Sequence, residues 1–395
     1  MSVMKPLFSH KMNLTIRNNA FKDIKPPFII LCNHPSFLDW IYMAIAAYPI
    51  RINIVITSYY YYNKLLSPLL KGLGAISKDL FYSDIRAVRD IMRVLKMGAA
   101  VALFPEGRLS PHGASETFFN STADLICALK VPVINVHISG AYYSKPKWGK
   151  GLRRGRVELD ATEMFSIKEL KTLNRDEVLS RMLDSMRYNE SQWQGENCVA
   201  YKKTKNFAEG LENILYICPK CKNEMTTRTK GDGIYCTHCG NRGRLNEFYD
   251  ILPDSTNCVM PKTIYSWYEL QKIIERDRII SDPLYELRSS ATLRLPDHGL
   301  RWFTPVGKGE TVLNKDGFTY IGTACGKEEK LFVPLSDLPT LLYGAGVDYE
   351  FFHNGSFYYF EPDNRQVCVK QSIVCEQLYK HYISEKERGS EVLGR

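Results

Sequence analysis

The sequence predicts an α/β layered domain, followed by a small cysteine-held module and a β-rich domain that ends in a helix. Three observations carry this. Up to about residue 190, apolar runs of strand length alternate with helical patterns, as expected for layered strands and helices. Two Cys-x2-Cys pairs then follow, Cys218/Cys221 and Cys236/Cys239, with fourteen residues between them. From about residue 286 the apolar period shortens to that of strands, punctuated by turn dipeptides.

In chain order, the first strand-like run is Phe28-Ile29-Ile30-Leu31, and Asn33-His34-Pro35-Ser36-Phe37-Leu38-Asp39 comes straight after it. Pro35 suits the first position of a helix, which puts His34 at its start and lets Asp39 lean back toward it. A neutral imidazole can take a proton from an attacking alcohol, and a carboxylate partner fixes its tautomer and steadies the imidazolium that forms. The bland alternative is a capping histidine beside a surface aspartate. Residues 52–57 are strand-like. Leucines at 65, 66, 69, 70 and 73 then form a helical stripe, with tyrosines 59–62 before it and Lys64 and Lys71 at its flanks. That stripe reads either as a membrane-interface segment or as a short core helix.

From Ser83, apolar residues at Ile85, Val88, Met92 and Leu95 give one helical face, closed by Gly98, and this face is expected to be buried. Arg86, Arg89, Arg93 and Lys96 form another stripe, expected to be solvated. Val101-Ala102-Leu103 leads into Phe104-Pro105-Glu106-Gly107-Arg108-Leu109-Ser110. In that loop Gly107 lets backbone approach a ligand, Glu106 can hold a hydroxyl, and Arg108 can grip a phosphate in a bidentate way. A surface turn with a chance ion pair is the alternative. Two polar constellations, each after a buried-strand pattern, place an active site at the carboxyl ends of a sheet. Residues 131–138 are strand-like, and 145–156 form a basic run around Trp148, either a phosphate or membrane contact or a solvated loop.

Composition narrows the classes. The net charge of +9 favours anionic partners such as phospholipid surfaces, phosphorylated substrates or nucleic acid. Residues 1–13 lack the apolar core of an export signal, and the longest apolar run, 40–50, falls short of the ~20 residues that span a bilayer. Neither a signal peptide nor a transmembrane helix is therefore expected, and a reducing, cytoplasmic setting argues against disulfides among the eleven cysteines. Four thiolates at Cys218, Cys221, Cys236 and Cys239 instead read as a structural zinc ribbon, the other alternative, an iron–sulfur site, having no specific support. The remaining cysteines, Cys368 and Cys375 among them, read as small buried hydrophobes.

The last segment contributes strand-like 292–295, 317–321, 330–333 and 349–352, then Asn354-Gly355 as a hairpin turn into 356–360. A helix from about Asn364 closes the chain, with Val374, Cys375, Leu378, Tyr379 and Tyr382 facing inward. Strands followed by one amphipathic helix resemble a PH-like domain, a likeness of topology that says little about function.

The blocks of the first half resemble the glycerolipid acyltransferase family, typified by 1-acyl-sn-glycerol-3-phosphate (lysophosphatidic acid) acyltransferases. That family carries His-x4-Asp, Gly-x-Ile, Phe-Pro-Glu-Gly and Val-Pro-Val blocks in this order. Here they are His34 with Asp39, Gly74-Ala75-Ile76-Ser77-Lys78, Phe104 to Ser110, and Val131-Pro132-Val133-Ile134. The chain departs from the family in three places. Arg108 comes one place early, with Leu109 where arginine is usual. Lys78 is the nearest cation after the second block. Asn135 replaces the proline of the fourth.

The resemblance implies that His34 is the general base and Asp39 its partner, with Glu106, Gly107, Arg108 and Lys78 around the acceptor. It implies transfer of a fatty acyl group from acyl-CoA or acyl carrier protein to the hydroxyl of a lysophospholipid. The expected setting is the inner face of an anionic membrane, peripherally bound, with no nucleic acid as partner. The expected domains are 1–190 acyltransferase, 191–213 connector, 214–245 zinc ribbon, 246–285 connector with helix, and 286–395 PH-like. Two other readings use the same composition. One is a basic, zinc-ribbon nucleic-acid-binding protein, which leaves the four ordered blocks unexplained. The other is a non-catalytic membrane or partner adaptor, which leaves His34, Asp39 and Glu106 without a use.

Overall fold

The computed structural model describes residues 13–81, 84–116, 118, 120–297 and 302–393, with side chains left aside at 387 and 389–393. The export-signal reading of residues 1–13, apart from Asn13, and the helix start at Ser83 lie outside the described residues. The chain divides into two compact units. The first comprises 1–79, 83–205 and 246–249, and the second comprises 80–82, 206–245 and 250–395.

The first unit is built on seven strands: β1 (Leu14–Asn19), β2 (Phe28–Cys32), β3 (Ile52–Thr57), β4 (Ile76–Lys78), β5 (Ala100–Leu103), β6 (Val133–Ser139) and β7 (Val157–Phe165). Their order is β1-β7-β6-β2-β5-β3-β4, parallel throughout except for β6 against β7. The central strands β2 and β5 are buried at every residue, because helices cover both faces of the sheet. Side-chain alternation divides β2 between two cores. Phe28, Ile30 and Cys32 pack with Tyr42 and Met43 of helix α1 (Asp39–Ala47). Ile29 and Leu31 pack in a second core with Ile91, Ile126 and Met182. These three come from α3 (Ile85–Lys96), α4 (Ser121–Leu129) and α5 (Arg175–Met186).

Helix α2 (Leu66–Leu73) lies between β3 and β4. Pro68 is its third residue, within the first turn, where a missing N–H costs no hydrogen bond. A short α6 (Glu190–Asn197) begins at Asn189, whose side chain accepts from the amides of Ser191 and Gln192.

Three local expectations are corrected in this unit. Helix α1 begins at Asp39, so Pro35 belongs to a loop of residues 33–38. Helix α3 buries Ala87, Ile91 and Leu95, so of the expected face only Leu95 is buried, while Ile85, Val88 and Met92 stand 66%, 41% and 38% exposed. Alanine at 87 lets the helix sit close to the sheet, and that choice turns the bulkier row outward. The basic run 145–156 is only partly solvated. Arg153 is fully buried, its guanidinium 4.6 Å from the Trp148 ring centre and 2.6 Å from the Tyr249 hydroxyl.

In the second unit, β8 (Thr227–Lys230), β9 (Gly233–Cys236), β10 (Arg242–Leu245) and β11 (Ile251–Pro253) form an antiparallel sheet. Helix α7 (Ile264–Ser281) grips the segment before it. The Gln271 amide accepts from the Tyr216 and Ile217 amides at 2.6 and 3.0 Å and donates to the Ile214 carbonyl at 2.9 Å. Seven further strands pair antiparallel: β12 (Leu287–Pro296), β13 (Phe303–Asn314), β14 (Gly317–Ala324), β15 (Lys327–Pro334), β16 (Leu342–Gly344), β17 (Asp348–His353) and β18 (Ser356–Pro362). Their order is β15-β14-β13-β12-β18-β17-β16. Asn354 and Gly355 both have positive φ, +48° and +73°, in the turn that joins β17 to β18. Sequence patterning finds five of these seven strands. It misses β13, where Gly307, Lys308 and Gly309 break the alternation, and the three-residue β16. Helix α8 (Val367–Leu393) buries Val374, Cys375 and Leu378 as expected, and Cys368 and Cys375 are fully buried thiols.

Candidate active site

Because β2 and β5 are adjacent and parallel, the loops after their carboxyl ends meet. The Ser110 amide donates to the His34 carbonyl at 3.0 Å and ties the two loops together. His34 Nδ1 lies 3.0 Å from Asp39 Oδ2, and the Ser36 amide donates to that same oxygen at 2.9 Å. An oxygen already accepting an amide proton calls for Nδ1–H from the ring, which leaves the Nε2 lone pair outward. Asp39 is the first residue of α1, where the helix N-terminus favours negative charge. The Phe104 ring stacks on His34 with centroids 4.1 Å apart and so fixes the imidazole plane. Asp39 is wholly buried while the His34 side chain is 21% exposed, so only the histidine can meet a substrate.

Burial pulls the His34 pKa well below that of ordinary imidazole, and the nearby Lys147 ammonium lowers it further. Burial raises the Asp39 carboxyl, against the Ser36 amide. The ring is thus neutral near pH 7, the form a base needs.

Glu106 is 1% exposed and pinned from three sides. Its Oε1 accepts from the His34 amide at 3.2 Å, and its Oε2 accepts from the Glu116 amide at 3.3 Å and the Tyr188 hydroxyl at 3.4 Å. Burial pushes its pKa up to about 8, against those amide donors. Gly107 takes φ +67°, a left-handed conformation that glycine adopts without strain. Arg108, 8% exposed, pairs with Glu116 at 3.2 Å, and His112 Nε2 lies 3.1 Å from the same carboxylate. Lys78 ends β4, the edge strand two places from β5, and burial lowers its pKa.

The structure therefore joins His34, Asp39 and Glu106 in one hydrogen-bonded group. Gly107 and Arg108 adjoin it, and Lys78 stands apart at the sheet edge. Sequence reading does not find Glu116, His112 or Tyr188, and it notes Lys147 only as part of the basic run 145–156. His112 and Glu116, four apart beside the Glu106 block, left a faint signal. Tyr188 left none, and nothing in the basic run tied Lys147 to His34, because only the tertiary fold brings them close. Glu190 is a further case: 2% exposed, it accepts from the Gly140 amide at 2.7 Å, and burial with the charge of Asp39 raises its pKa to about 8.

The four knuckle cysteines form a second constellation, in the other unit. Their sulfurs all lie within 4.8 Å of one another, with Cys218–Cys239 at 3.7 Å and Cys221–Cys236 at 3.8 Å. A tetrahedral ion with bonds of about 2.3 Å to sulfur sets its ligands about 3.8 Å apart, so the thiols fit one metal ion.

The family model described as Acyltransferase matches residues 11–139. The chain is 22% identical, over 187 residues, to the 1-acyl-sn-glycerol-3-phosphate acyltransferase of Bacillus subtilis (strain 168), a match covering 47% of this chain and 90% of that protein. The crystal structure of the 1-acyl-sn-glycerophosphate (LPA) acyltransferase PlsC from Thermotoga maritima aligns with 45% of this chain and 70% of its own, at 21% identity and a TM-score of 0.38. The chain is thus an acyltransferase. Within that class, the matched Acyltransferase domain lies in the first unit, and the sequence it is similar to is that of a glycerolipid acyltransferase.

Proposed function

We propose that the protein acylates the free hydroxyl of a lysophospholipid, 1-acyl-sn-glycerol-3-phosphate above all, with acyl-CoA or acyl carrier protein as donor. The observation that carries this reading is the His34–Asp39 pair at 3.0 Å, its imidazole plane fixed by Phe104 and its loop held by Glu106. The acceptor hydroxyl gives its proton to His34 Nε2 as its oxygen attacks the thioester carbonyl. A C–O bond forms, the carbonyl becomes an oxyanion, and Asp39 steadies the imidazolium. Collapse of the intermediate breaks the C–S bond. The proton on His34 passes to the departing thiolate, which leaves as the free thiol of the carrier. No nucleophile of the protein enters the balance.

The acceptor lies against Glu106 and Gly107, and its phosphate is held by cations of the carboxyl edge, Arg108 and Lys78. Arg108 must then share its guanidinium between Glu116 and the phosphate. Cys218, Cys221, Cys236 and Cys239 hold one structural Zn²⁺, whose closed set of four thiolates leaves no position for a reacting water. The seven antiparallel strands with α8 serve as a PH-like module. The enzyme works peripherally on the inner face of an anionic membrane, and among the described residues no helix is long and apolar enough to cross one.

The test supplies purified protein with an isotopically labelled acyl thioester and a panel of lysolipids, and identifies products by mass spectrometry. Labelled diacyl phosphatidate should form, and phosphate-free monoacylglycerol should be acylated poorly. Release of free fatty acid alone, or acyl transfer indifferent to the phosphate, would contradict this reading.

A further inference from the structure

The outer surfaces of α2 and α3 are unusual for helices that cover a sheet. No residue of α2 is buried, although it carries four leucines, and Leu65, Leu69 and Leu73 are 75%, 58% and 55% exposed. Helix α3 is buried along Ala87, Ile91 and Leu95, yet turns Ile85, Val88 and Met92 outward. At 100° per residue the outward row and the Arg86–Arg89–Arg93–Lys96 row are neighbouring stripes of this helix. An exposed apolar stripe flanked by a cationic one is the pattern of a helix that lies in a lipid interface.

Two further facts choose the occupant. Between Lys64 and Met97 there are seven lysines and arginines against three aspartates, so the surface complements an anionic partner. The topology also gives it a direction. Strands β2, β3, β4 and β5 are parallel, so α1, α2 and α3, which connect them, begin at the carboxyl edge that carries His34. The exposed side chains nearest that edge are Phe37 at 53% and Trp40 at 43% on the His34 loop and α1, with Leu65 and Ile85 at the starts of α2 and α3. Apolar side chains thus rim the edge where the acceptor must arrive.

We propose that the outward faces of α2 and α3, with the Arg86–Lys96 cationic stripe, seat the acyltransferase unit on an anionic bilayer, so that the acceptor reaches His34 without leaving the lipid. This rests on the reading that the acceptor is a lysophospholipid. Leucines and methionines enter the acyl boundary, arginines and Lys96 stay at the phosphates, and the carboxyl edge faces the membrane.

The experiment uses the full chain with vesicles of phosphatidylglycerol and phosphatidylcholine, measured by flotation, and compares wild type with two variants. One is Leu69→Ser/Val88→Ser/Met92→Ser and the other is Arg89→Glu/Lys96→Glu. All of these positions are exposed, and thermal unfolding checks that the fold is kept. The apolar variant should lose at least about tenfold in vesicle partitioning. The charge variant should lose about fivefold or more per cation, and its residual binding should respond less steeply to salt than that of wild type.

Acyl transfer to a short-chain lysophosphatidate below its micelle concentration should be unchanged in both variants. If wild type fails on that soluble acceptor but still floats, the acyl-transfer reading fails and the membrane surface stands. Variants that float like wild type, or a wild type that ignores the vesicles, overturn the surface. So does sedimentation showing that wild type is a dimer and the apolar variant a monomer, since a second copy would then cover this face.

Discussion

The role proposed for His34 follows from its surroundings. Asp39 holds Nδ1, Phe104 holds the plane, and burial with Lys147 favours the neutral ring. The sign of the resulting pH effect is fixed. A base acts in its unprotonated form, and a depressed pKa extends that form to lower pH. The acid limb of kcat/KM should therefore fall below the ordinary imidazole value of about 6.5. A pH–rate profile on a soluble acceptor checks this, and an acid limb near 8 would point instead to Glu106, whose burial raises it that far. His34, Asp39 and Glu106 were legible because each follows an apolar run within a few residues. Glu116, which occupies Arg108, and Tyr188, which holds Glu106 from 82 residues away, were not. Such partners are set by how loops fold over the sheet edge, and no local pattern encodes that.

At the scale of elements, periodicity found α3, but of the four residues it put on the apolar face only Leu95 is buried. Both Ile85–Val88–Met92 and Ala87–Ile91–Leu95 satisfy helical spacing, and the hydrophobicity of the first row favours it as the core. Close packing reverses the choice, because Ala87 lets backbone approach the sheet. The clustering of the four cysteines was legible for the opposite reason: a metal centre would demand a fixed ligand spacing whatever surrounds it. The knuckles are also tied to their neighbours within the second unit. Glu224, three residues after Cys221, accepts from Lys370 of α8 at 2.6 Å and pairs with Arg278 of α7. Small zinc modules draw apparent binding energies of roughly 10–16 kcal/mol from the ion, so losing a ligand should loosen them. Metal analysis should give one Zn²⁺ per wild-type chain. Cys236→Ser should lower that figure and open residues 215–245 to protease while soluble-acceptor turnover continues. A wild-type preparation that is folded, protease-resistant and metal-free would rule out the zinc assignment.

At the scale of the whole molecule, the match to the acyltransferase family model ends at residue 139 and the aligned relative spans 47% of the chain. The catalytic claim thus lives in the first unit, where the four sequence blocks carry it. The second unit was legible as cysteine knuckles, strands and a closing helix, but its strand order was not, because antiparallel pairing is set by contacts far apart in sequence. The net charge of +9 belongs to this scale too, since it draws the protein toward anionic surfaces whatever part touches them. The central claim is that this first unit transfers an acyl group by general-base chemistry at His34. The most direct test is the steady-state turnover of His34→Ala against wild type, with labelled acyl-CoA and 1-acyl-sn-glycerol-3-phosphate, at matched thermal unfolding midpoints. Turnover should fall by about 10²–10⁴, the usual worth of a positioned base. A folded His34→Ala protein that retains near-full turnover would contradict the account.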